Sequence, residues 1–290
     1  MDDSPRVPEV EATARLLRTW TTKNGLRLLH FATDPAVIVK VGPDWSVKTA
    51  ASVADGYLKW REILQSVEGI YAPAARAVYA PPSVVMEYVE GRELLAAIRQ
   101  KEDLSRALHA CGRAIGAYHR SGGEQSPALA RDRVRTVLRR LRVSKQTEQR
   151  LLRAVVPVAS TGDFGPYNAR LDVNDQVAVI DPVTRLRVDT AHRDVAWFLW
   201  WLRRESAGRA ATDALMMGYR EESRHDFSVG DGQELLRLLC AWFAMGASRQ
   251  QMRRGRPLRA AQFTYCGVRY RLNGRNSERE RSKFNAEEQE

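Results

Sequence analysis

The feature that most constrains this chain is a set of three polar residues, Asp163, Asn168 and Asp181, arranged around one short apolar segment. Asp163 and Asn168 are five residues apart, and Asp181 follows thirteen residues later, directly after the β-type segment 177–180. A carboxylate, an amide and a second carboxylate spaced in this way around a β-hairpin can converge on one point. Phosphoryl transfer needs such a set, because one Asp orients the acceptor hydroxyl while an Asn and an Asp hold Mg²⁺ on the nucleotide phosphates.

The length and composition are those of a globular chain. Its 290 residues suit one large domain or two lobes, and 44% hydrophobic with 28% charged residues exclude disorder, collagen and coiled coil as the main state. The longest strongly apolar stretch, 195–202, is far shorter than the roughly 20 residues of a membrane span. A polar N-terminus without a secretory signal and three widely separated cysteines predict a cytoplasmic protein with reduced thiols.

The order of the predicted elements indicates an α+β fold. In the N-terminal part, strands are predicted at 26–32, 36–41, 72–80 and 83–89, with one helix at 50–66. Helices are also predicted at 9–19, 92–100 and 104–119, and over almost all of the chain beyond 131 apart from 177–180. We therefore expect a small antiparallel sheet lobe at 1–89, a larger helical lobe at 90–275 and a polar tail at 276–290.

The net charge of +11 is concentrated in two segments. Residues 131–153 carry nine basic and two acidic residues, and residues 249–283 carry eleven basic and two acidic residues. The first segment has apolar residues at helical spacing between its arginines, which is typical of a surface helix. Nucleic acid is not the expected partner, because no aromatic interleaving or nucleic-acid motif accompanies the charge. An anionic small-molecule partner stays open.

The segment Thr-Gly-Asp163-Phe-Gly-Pro-Tyr-Asn168, with Asp181 downstream, resembles the catalytic loop of the aminoglycoside phosphotransferase (APH) family of protein-kinase-like enzymes. That family commonly has His where this chain has Thr161. The resemblance implies a two-lobe kinase fold and an ATP- and Mg²⁺-dependent transfer to a hydroxyl of a small molecule. It assigns Asp163 as the base and Asn168 and Asp181 as the residues that hold Mg²⁺. The Arg-rich C-terminal half does not suit a cationic aminoglycoside, so the acceptor is expected to be a different small molecule.

Segments outside the catalytic loop resemble the same family in the same order, over about 25–205. Lys40 resembles the strand lysine that pairs with nucleotide phosphates. Glu87 and Val89 resemble the interlobe hinge, whose backbone groups would face adenine. His119 and Asp194 resemble the family's bracing residues behind the catalytic loop.

The carboxylate that pairs with Lys40 is not obvious from the sequence. Glu62 and Asp55 are seven residues apart and share one helix face, and we favour Glu62 because its side chain is longer. The region of the phosphate-covering loop has a single glycine, Gly25, in place of a glycine-rich motif. Together with Thr161, this leaves an alternative function: a pseudokinase or binding module without transfer activity, which uses its Arg-rich segments to bind anionic partners.

Overall fold

The computed structural model confirms the α+β architecture, with an antiparallel sheet first and a largely helical region after it. The structure describes residues 14–22, 25–123, 125–181, 187–223, 225–227, 229–261 and 263–264. The polar tail predicted at 276–290 lies outside the described residues, as does more than half of the basic segment 249–283.

Five strands form the N-terminal sheet in the order β1–β2–β3–β6–β5, and all neighbours are antiparallel. They are Arg15–Thr21 (β1), Arg27–Ala32 (β2), Val37–Val41 (β3), Ala75–Tyr79 (β5) and Pro82–Glu87 (β6). The four predicted strands are thus confirmed. The helical pattern predicted at 9–19 is wrong where the chain is described, because β1 pairs along its length with β2 and those backbone bonds outweigh a weak apolar periodicity.

The alternation of side chains along β3 decides which way Lys40 points. Val39 and Val41 pack into one apolar cluster on the outer face of the sheet. Ile38 packs on the opposite face against helix α1 (Val47–Leu64), which begins where the Ser46 side chain accepts the Thr49 N–H at 3.1 Å. Since alternate residues of a strand share a face, Lys40 lies on the α1 side with Ile38.

A second sheet connects the two halves of the chain, in the order β4–β10–β9–β7. Its strands are Ile70–Tyr71 (β4), Arg92–Glu93 (β7), Ala169–Leu171 (β9) and Val177–Val179 (β10). Just before β7, Gly91 has a φ of +136°, and a Cβ at this position would lie 1.9 Å from the Leu171 carbonyl oxygen. Only glycine allows this approach. β4 precedes residue 89 and pairs with β10, so the second sheet spans the predicted lobe boundary. The boundary at residue 89 therefore stays a prediction.

Helices make up most of the remaining chain. They are Leu94–Gln100 (α2), Ser105–Ser121 (α3), Pro127–Arg140 (α4), Lys145–Arg153 (α5), Ala191–Arg204 (α6), Arg209–Ser223 (α7) and Gly230–Arg253 (α8). Sequence patterns missed the three-residue strands β8 (Pro157–Ala159), β9 and β11 (Val188–Thr190). Such strands are too short to show a period, and β8 and β11 pair with each other across about 30 residues of sequence.

The main apolar core lies between these helices, the second sheet and α1, and it includes Trp60, Leu108, Tyr118, Phe198 and Leu239. Among the described residues, every helix is too short or too polar to cross a lipid bilayer.

Candidate active site

The loop between β8 and β9 holds Asp163 in a closed turn. The Tyr167 hydroxyl donates to Asp163. Its Oη lies 3.0 Å from the Asp163 backbone oxygen and also contacts the carboxylate Oδ1. The Asn168 side-chain nitrogen donates to the same backbone oxygen at 2.9 Å. The loop ends in a short 3₁₀ turn, Pro166–Asn168, so the two residues five apart in sequence are in direct contact.

The β9–β10 hairpin brings Asn168 next to Asp181. In this hairpin Ala169 pairs with Val179, so Asn168 at the entry of one strand stands opposite Ile180 at the exit of the other. The Ile180 N–H donates to the Asn168 backbone oxygen at 3.0 Å. Asp181 follows directly, and its side chain is 61% exposed. The predicted convergence of the three polar residues around a hairpin is therefore what the geometry shows.

Lys40 reaches this point from the other sheet. Its ammonium nitrogen lies 2.6 Å from the Tyr57 hydroxyl, 2.7 Å from the Ile180 carbonyl oxygen and 3.4 Å from the Asp181 carboxylate. A lysine ammonium has three hydrogens to donate, and these three acceptors match them. Lys40 is only 6% exposed, so its charge depends on this environment. The structure brings four predicted residues together: Lys40, Asp163, Asn168 and Asp181.

The predicted partner of Lys40 is corrected by the structure. Glu62 and Asp55 both lie on the exposed side of α1, and neither is among the hydrogen-bonding partners of Lys40 in the described chain. Tyr57 takes that place, because it shares the buried stripe of α1 with Ala50 and Ala54. The stripe at spacings of three and four is visible in the sequence, but an expected carboxylate partner for Lys40 does not point to a tyrosine.

Tyr57 is itself fully engaged. Its hydroxyl lies 2.5 Å from the Ile180 oxygen and 3.2 Å from the Met86 sulfur, besides accepting from Lys40. Burial would by itself lower the pKa of Lys40, but the neighbouring Tyr57 and Asp181 raise it above the ordinary value. The lysine is therefore held in its charged form.

Behind the loop, a buried carboxylate fixes the backbone that carries Asp163. Asp194 accepts hydrogen bonds from the Ser160 hydroxyl at 2.7 Å and from the Thr161 N–H at 2.5 Å. His119 lies 3.0 Å from the same carboxylate, and its other ring nitrogen lies 3.1 Å from the Tyr219 hydroxyl. Although burial opposes ionisation, these donors lower the pKa of Asp194 below its ordinary value. Thr161 is thus held in the loop by its backbone N–H, and its side chain takes no part in that contact.

The surroundings of Asp163 favour a stronger base. The side chain is open to solvent on one side, yet the protein atoms around the loop displace enough water to raise the pKa of its carboxyl. The hydrogen bond from Tyr167 acts in the opposite direction, and the charge of Asp181 raises the pKa further.

The two predicted hinge residues lie at the end of β6 and just beyond it. The Glu87 N–H donates to the Ala74 oxygen at 3.0 Å, and the Glu87 carboxylate accepts the Ala74 N–H at 2.8 Å. Val89 is buried just beyond. The contact of both residues with adenine stays a prediction.

An aromatic surface on α6 adjoins the catalytic loop. The Tyr167 ring centroid lies 4.9 Å from that of Trp201 and 6.3 Å from that of Trp197. Trp197 in turn contacts Phe243 of α8 at 4.9 Å, and the Arg204 guanidinium lies 4.3 Å from the centre of the Trp201 ring. Trp197 and Trp201 are half-buried and lie beside the loop.

Comparison with solved structures defines the class of protein. An aminoglycoside phosphotransferase from Alicyclobacillus acidocaldarius matches with a TM-score of 0.59, at 14% identity over 98% of each chain. A choline kinase from Cryptosporidium parvum matches with a TM-score of 0.55, at 8% identity over 92% of each chain. The APH(2″)-IIia complex with GDP and kanamycin matches with a TM-score of 0.53, at 12% identity over 90% of this chain and 95% of that one. At such identities these matches show a shared protein-kinase-like fold.

The sequence itself places the chain in one family of that class. The profile of the APH phosphotransferase enzyme family matches residues 32–227, which is more than half of the chain. The chain therefore belongs to the APH family of phosphotransferases, as the catalytic-loop motif predicted. No match was found among curated protein sequences.

Proposed function

We propose that this protein transfers the γ-phosphoryl group of ATP to a hydroxyl of a small molecule, with Mg²⁺ as cofactor and Asp163 as base. The observation that carries the proposal is the contact of Lys40 with Ile180 and Asp181. It joins the strand lysine to the hairpin that holds Asn168 and the loop that holds Asp163. A cation for phosphates, oxygen ligands for a metal and a carboxylate base thus stand at one place, as phosphoryl transfer needs.

The residues at the hairpin fit a magnesium ion. Mg²⁺ is usually held by one or two carboxylates together with substrate phosphates, and it keeps several waters. Asp181 offers an exposed carboxylate, and the Asn168 amide, whose nitrogen is used by Asp163, has its oxygen on the other side. When bound, the ion would neutralise charge that develops on the phosphates.

The remaining chemistry belongs to side chains of this chain. Lys40 binds the nucleotide phosphates with a charge that Tyr57 and Asp181 maintain despite burial. Asp163 orients the acceptor hydroxyl and takes its proton as the oxygen bonds to the γ-phosphorus and the bond to ADP breaks. Burial raises the pKa of its carboxyl, which makes the carboxylate a better proton acceptor. Tyr167 limits the rotation of the carboxylate through its hydroxyl contact.

The nucleotide site is tested first, because that test does not need the acceptor. Wild-type protein is heated with and without Mg·ATP, and Mg·GTP is tested in parallel because APH(2″)-IIia was solved with GDP. Ligand at about 100 times its dissociation constant adds roughly 2.7 kcal/mol to the free energy of unfolding. We expect a metal-dependent shift in the wild type that is largely lost in Asp181→Asn. Asp175→Asn is the matched control, because Asp175 lies on the same hairpin and is 75% exposed.

Transfer is tested with an acceptor screen that follows ADP release. Asp163→Asn keeps the shape of the residue and removes the base, so turnover is expected to fall by about 10²- to 10⁴-fold with nucleotide binding retained. Unchanged turnover in this variant would disprove the assignment of Asp163.

A binding module without transfer activity is the second candidate. Two departures from the family pattern favour it: Thr161 in the catalytic loop and Tyr57 in place of an acidic partner for Lys40. It predicts the same thermal shift with Mg·ATP but no ADP release with any acceptor.

A further inference from the structure

Three arginines converge on one buried carboxylate oxygen next to the catalytic loop. Arg193 and Arg133 donate to Asp189 Oδ2 at 3.1 and 3.2 Å, and the Arg187 Nε lies 3.7 Å from the same oxygen. The other oxygen of Asp189 accepts the Thr190 N–H at 2.9 Å. The Asp189 side chain is 2% exposed, so the carboxylate forms the floor of the cluster. We call Arg133, Arg187 and Arg193 the arginine cluster.

The arginine cluster has more positive charge than its carboxylate neutralises. Three guanidinium groups share the Asp189 carboxylate, and the charge of Asp194 also acts on Arg187. Their exposed fractions are 29% at Arg193, 36% at Arg133 and 50% at Arg187. Each guanidinium has five N–H donors, of which the described hydrogen bonds use at most one. Burial and the repulsion of Arg193 and Arg133 lower the pKa of Arg187. The group is thus donor-rich, crowded with like charge and open to solvent.

The position of the cluster relates it to the loop that carries Asp163. Arg187 and Asp189 belong to the segment of β11, and the Arg187 carbonyl accepts the Ser160 N–H at 2.8 Å, three residues before Asp163. Arg193 directly precedes Asp194, which holds the catalytic loop.

An aromatic path leads from the cluster to the base. The Arg193 guanidinium lies 5.9 Å from the centre of the Phe243 ring, which contacts Trp197, which contacts Tyr167. Beside the cluster, a shallow depression is lined by Thr190, Trp242 and Phe243 together with Arg133 and Arg193.

We propose that the arginine cluster is an oxyanion-binding subsite that takes a carboxylate or phosphate group of the hydroxyl acceptor. Planar guanidinium groups bind both kinds of oxyanion through paired N–H donors, and an anion would relieve the repulsion within the cluster. The inference rests on the proposed function in one respect, namely that the anionic ligand is the hydroxyl acceptor. The substrate class it names is an anionic hydroxyl compound, such as a hydroxy acid or a sugar phosphate, rather than a polycation.

Binding is tested with inorganic phosphate, at an ionic strength matched with sodium chloride. For wild-type protein we expect Tm to rise by about 3 °C when phosphate is at about ten times its dissociation constant. The rise is expected to be lost in Arg187→Gln and in Arg133→Gln. Arg209→Gln is the matched control, because Arg209 is 93% exposed and pairs with Asp213 at 3.4 Å in another part of the molecule.

The comparison separates an anion site from a merely structural cluster. If the arginines only stabilised the fold, Arg187→Gln would lower Tm but leave the phosphate-dependent rise as large as in Arg209→Gln. That result, or no rise in the wild type, would disprove the subsite. Phosphate bound near Lys40 would contribute equally to both variants and cancels in the difference.

The link to the acceptor is tested with matched pairs of hydroxyl compounds. Ribose is compared with ribose 5-phosphate, and glycerol with glycerate, by ADP release. We expect the anionic member to have a kcat/KM about 10- to 100-fold higher in the wild type, and the preference to disappear in Arg187→Gln. Equal use of both members would disprove the assignment to the acceptor. If phosphate binds but the whole acceptor screen gives no ADP release, the proposed function fails while the anion site stands.

Discussion

At the residue scale, the buried lysine of the candidate active site is held by a phenol. Tyr57 contacts Lys40, the Ile180 carbonyl and Met86, so one hydroxyl joins α1, β6 and the hairpin end. A neutral partner leaves the positive charge of Lys40 balanced by Asp181 alone among these contacts. The charge is thus directed towards the side on which nucleotide phosphates are proposed to bind.

Tyr57→Phe tests this arrangement. Removal of the hydroxyl leaves one Lys40 donor without an acceptor in a buried place, which costs about 1–3 kcal/mol of unfolding free energy. We also expect weaker binding of Mg·ATP, since Lys40 loses the group that orients it. Chemical denaturation and nucleotide titration measure the two effects. Tyr71→Phe is the control, because its hydroxyl lies 3.3 Å from Asp172 in a half-buried position, and a loss no larger than in this control would contradict the assigned role.

At the element scale, close packing of α3 on α7 sets the frame behind the catalytic loop. A Cβ at Gly112 would lie 2.1 Å from the Leu215 oxygen, and one at Gly218 would lie 2.0 Å from the His109 oxygen. The two helices therefore touch through their backbones. This contact positions His119 near the end of α3 and Tyr219 on α7. The two side chains lie 3.1 Å apart, and the other ring nitrogen of His119 contacts the Asp194 carboxylate.

Gly218→Ala is expected to destabilise the protein. Alanine has the better helix propensity, but its methyl group must push against backbone atoms of α3, and overpacking of this kind costs about 1–3 kcal/mol. Gly246→Ala in α8 is the matched control with the opposite sign. Outside its own helix, no atom of the described residues lies within 4 Å of its Cβ position, so the change is expected to stabilise by about 0.5–1 kcal/mol. Denaturant unfolding measures the stability change in both variants. A gain in stability in Gly218→Ala would disprove the close contact.

At the scale of the whole molecule, the predicted surface helix in the first basic segment is confirmed. Val134 and Leu138 of α4 are buried, while arginines of α4 and α5 pair with acidic groups. These ion pairs are Arg135 and Arg139 with Glu148, Arg150 with Asp231 and Glu234, and Arg133 with Asp189. Much of the segment's charge is therefore used within the protein, which does not favour a continuous interface for nucleic acid.

Global stability is expected to fall steeply in mild acid because of His192. Its ring is fully buried and stacked on Phe227 at 3.8 Å, and its Nδ1 lies 3.0 Å from the Thr190 hydroxyl. Burial lowers its pKa from 6.5 to about 3. Below pH about 6.5 His192 binds a proton in the unfolded chain but stays neutral in the folded chain. This difference lowers the free energy of unfolding by about 1.4 kcal/mol per pH unit down to about pH 3.

His192→Asn removes this titration and keeps a polar group near Thr190. Unfolding free energies measured between pH 7 and 4.5 are expected to fall less steeply in the variant than in the wild type. His109→Gln serves as the control, since it removes a partly exposed histidine that pairs with Glu221 at 2.9 Å and leaves His192 in place. Identical slopes in the wild type and His192→Asn would show that the buried ring does not control acid stability.

The sequence by itself determined the family, the α+β class and the identity of Asp163, Asn168, Asp181 and Lys40 as neighbours. The first three could be predicted because their contacts are local: one tight turn joins Asp163 to Asn168, and one hairpin joins Asn168 to Asp181. The binding roles of these residues, and the hinge contacts of Glu87 and Val89, stay predictions.

Only the tertiary structure decided that Tyr57, and not Glu62, holds Lys40, and that Arg133, Arg187 and Arg193 meet at Asp189. Each of these sets comes from separate elements. Local periodicity tells which face of a helix or strand is buried, but not which residue of a neighbouring element that face will meet. That depends on how α1 lies across the sheet and how α4 lies on β11, which packing of the whole core fixes.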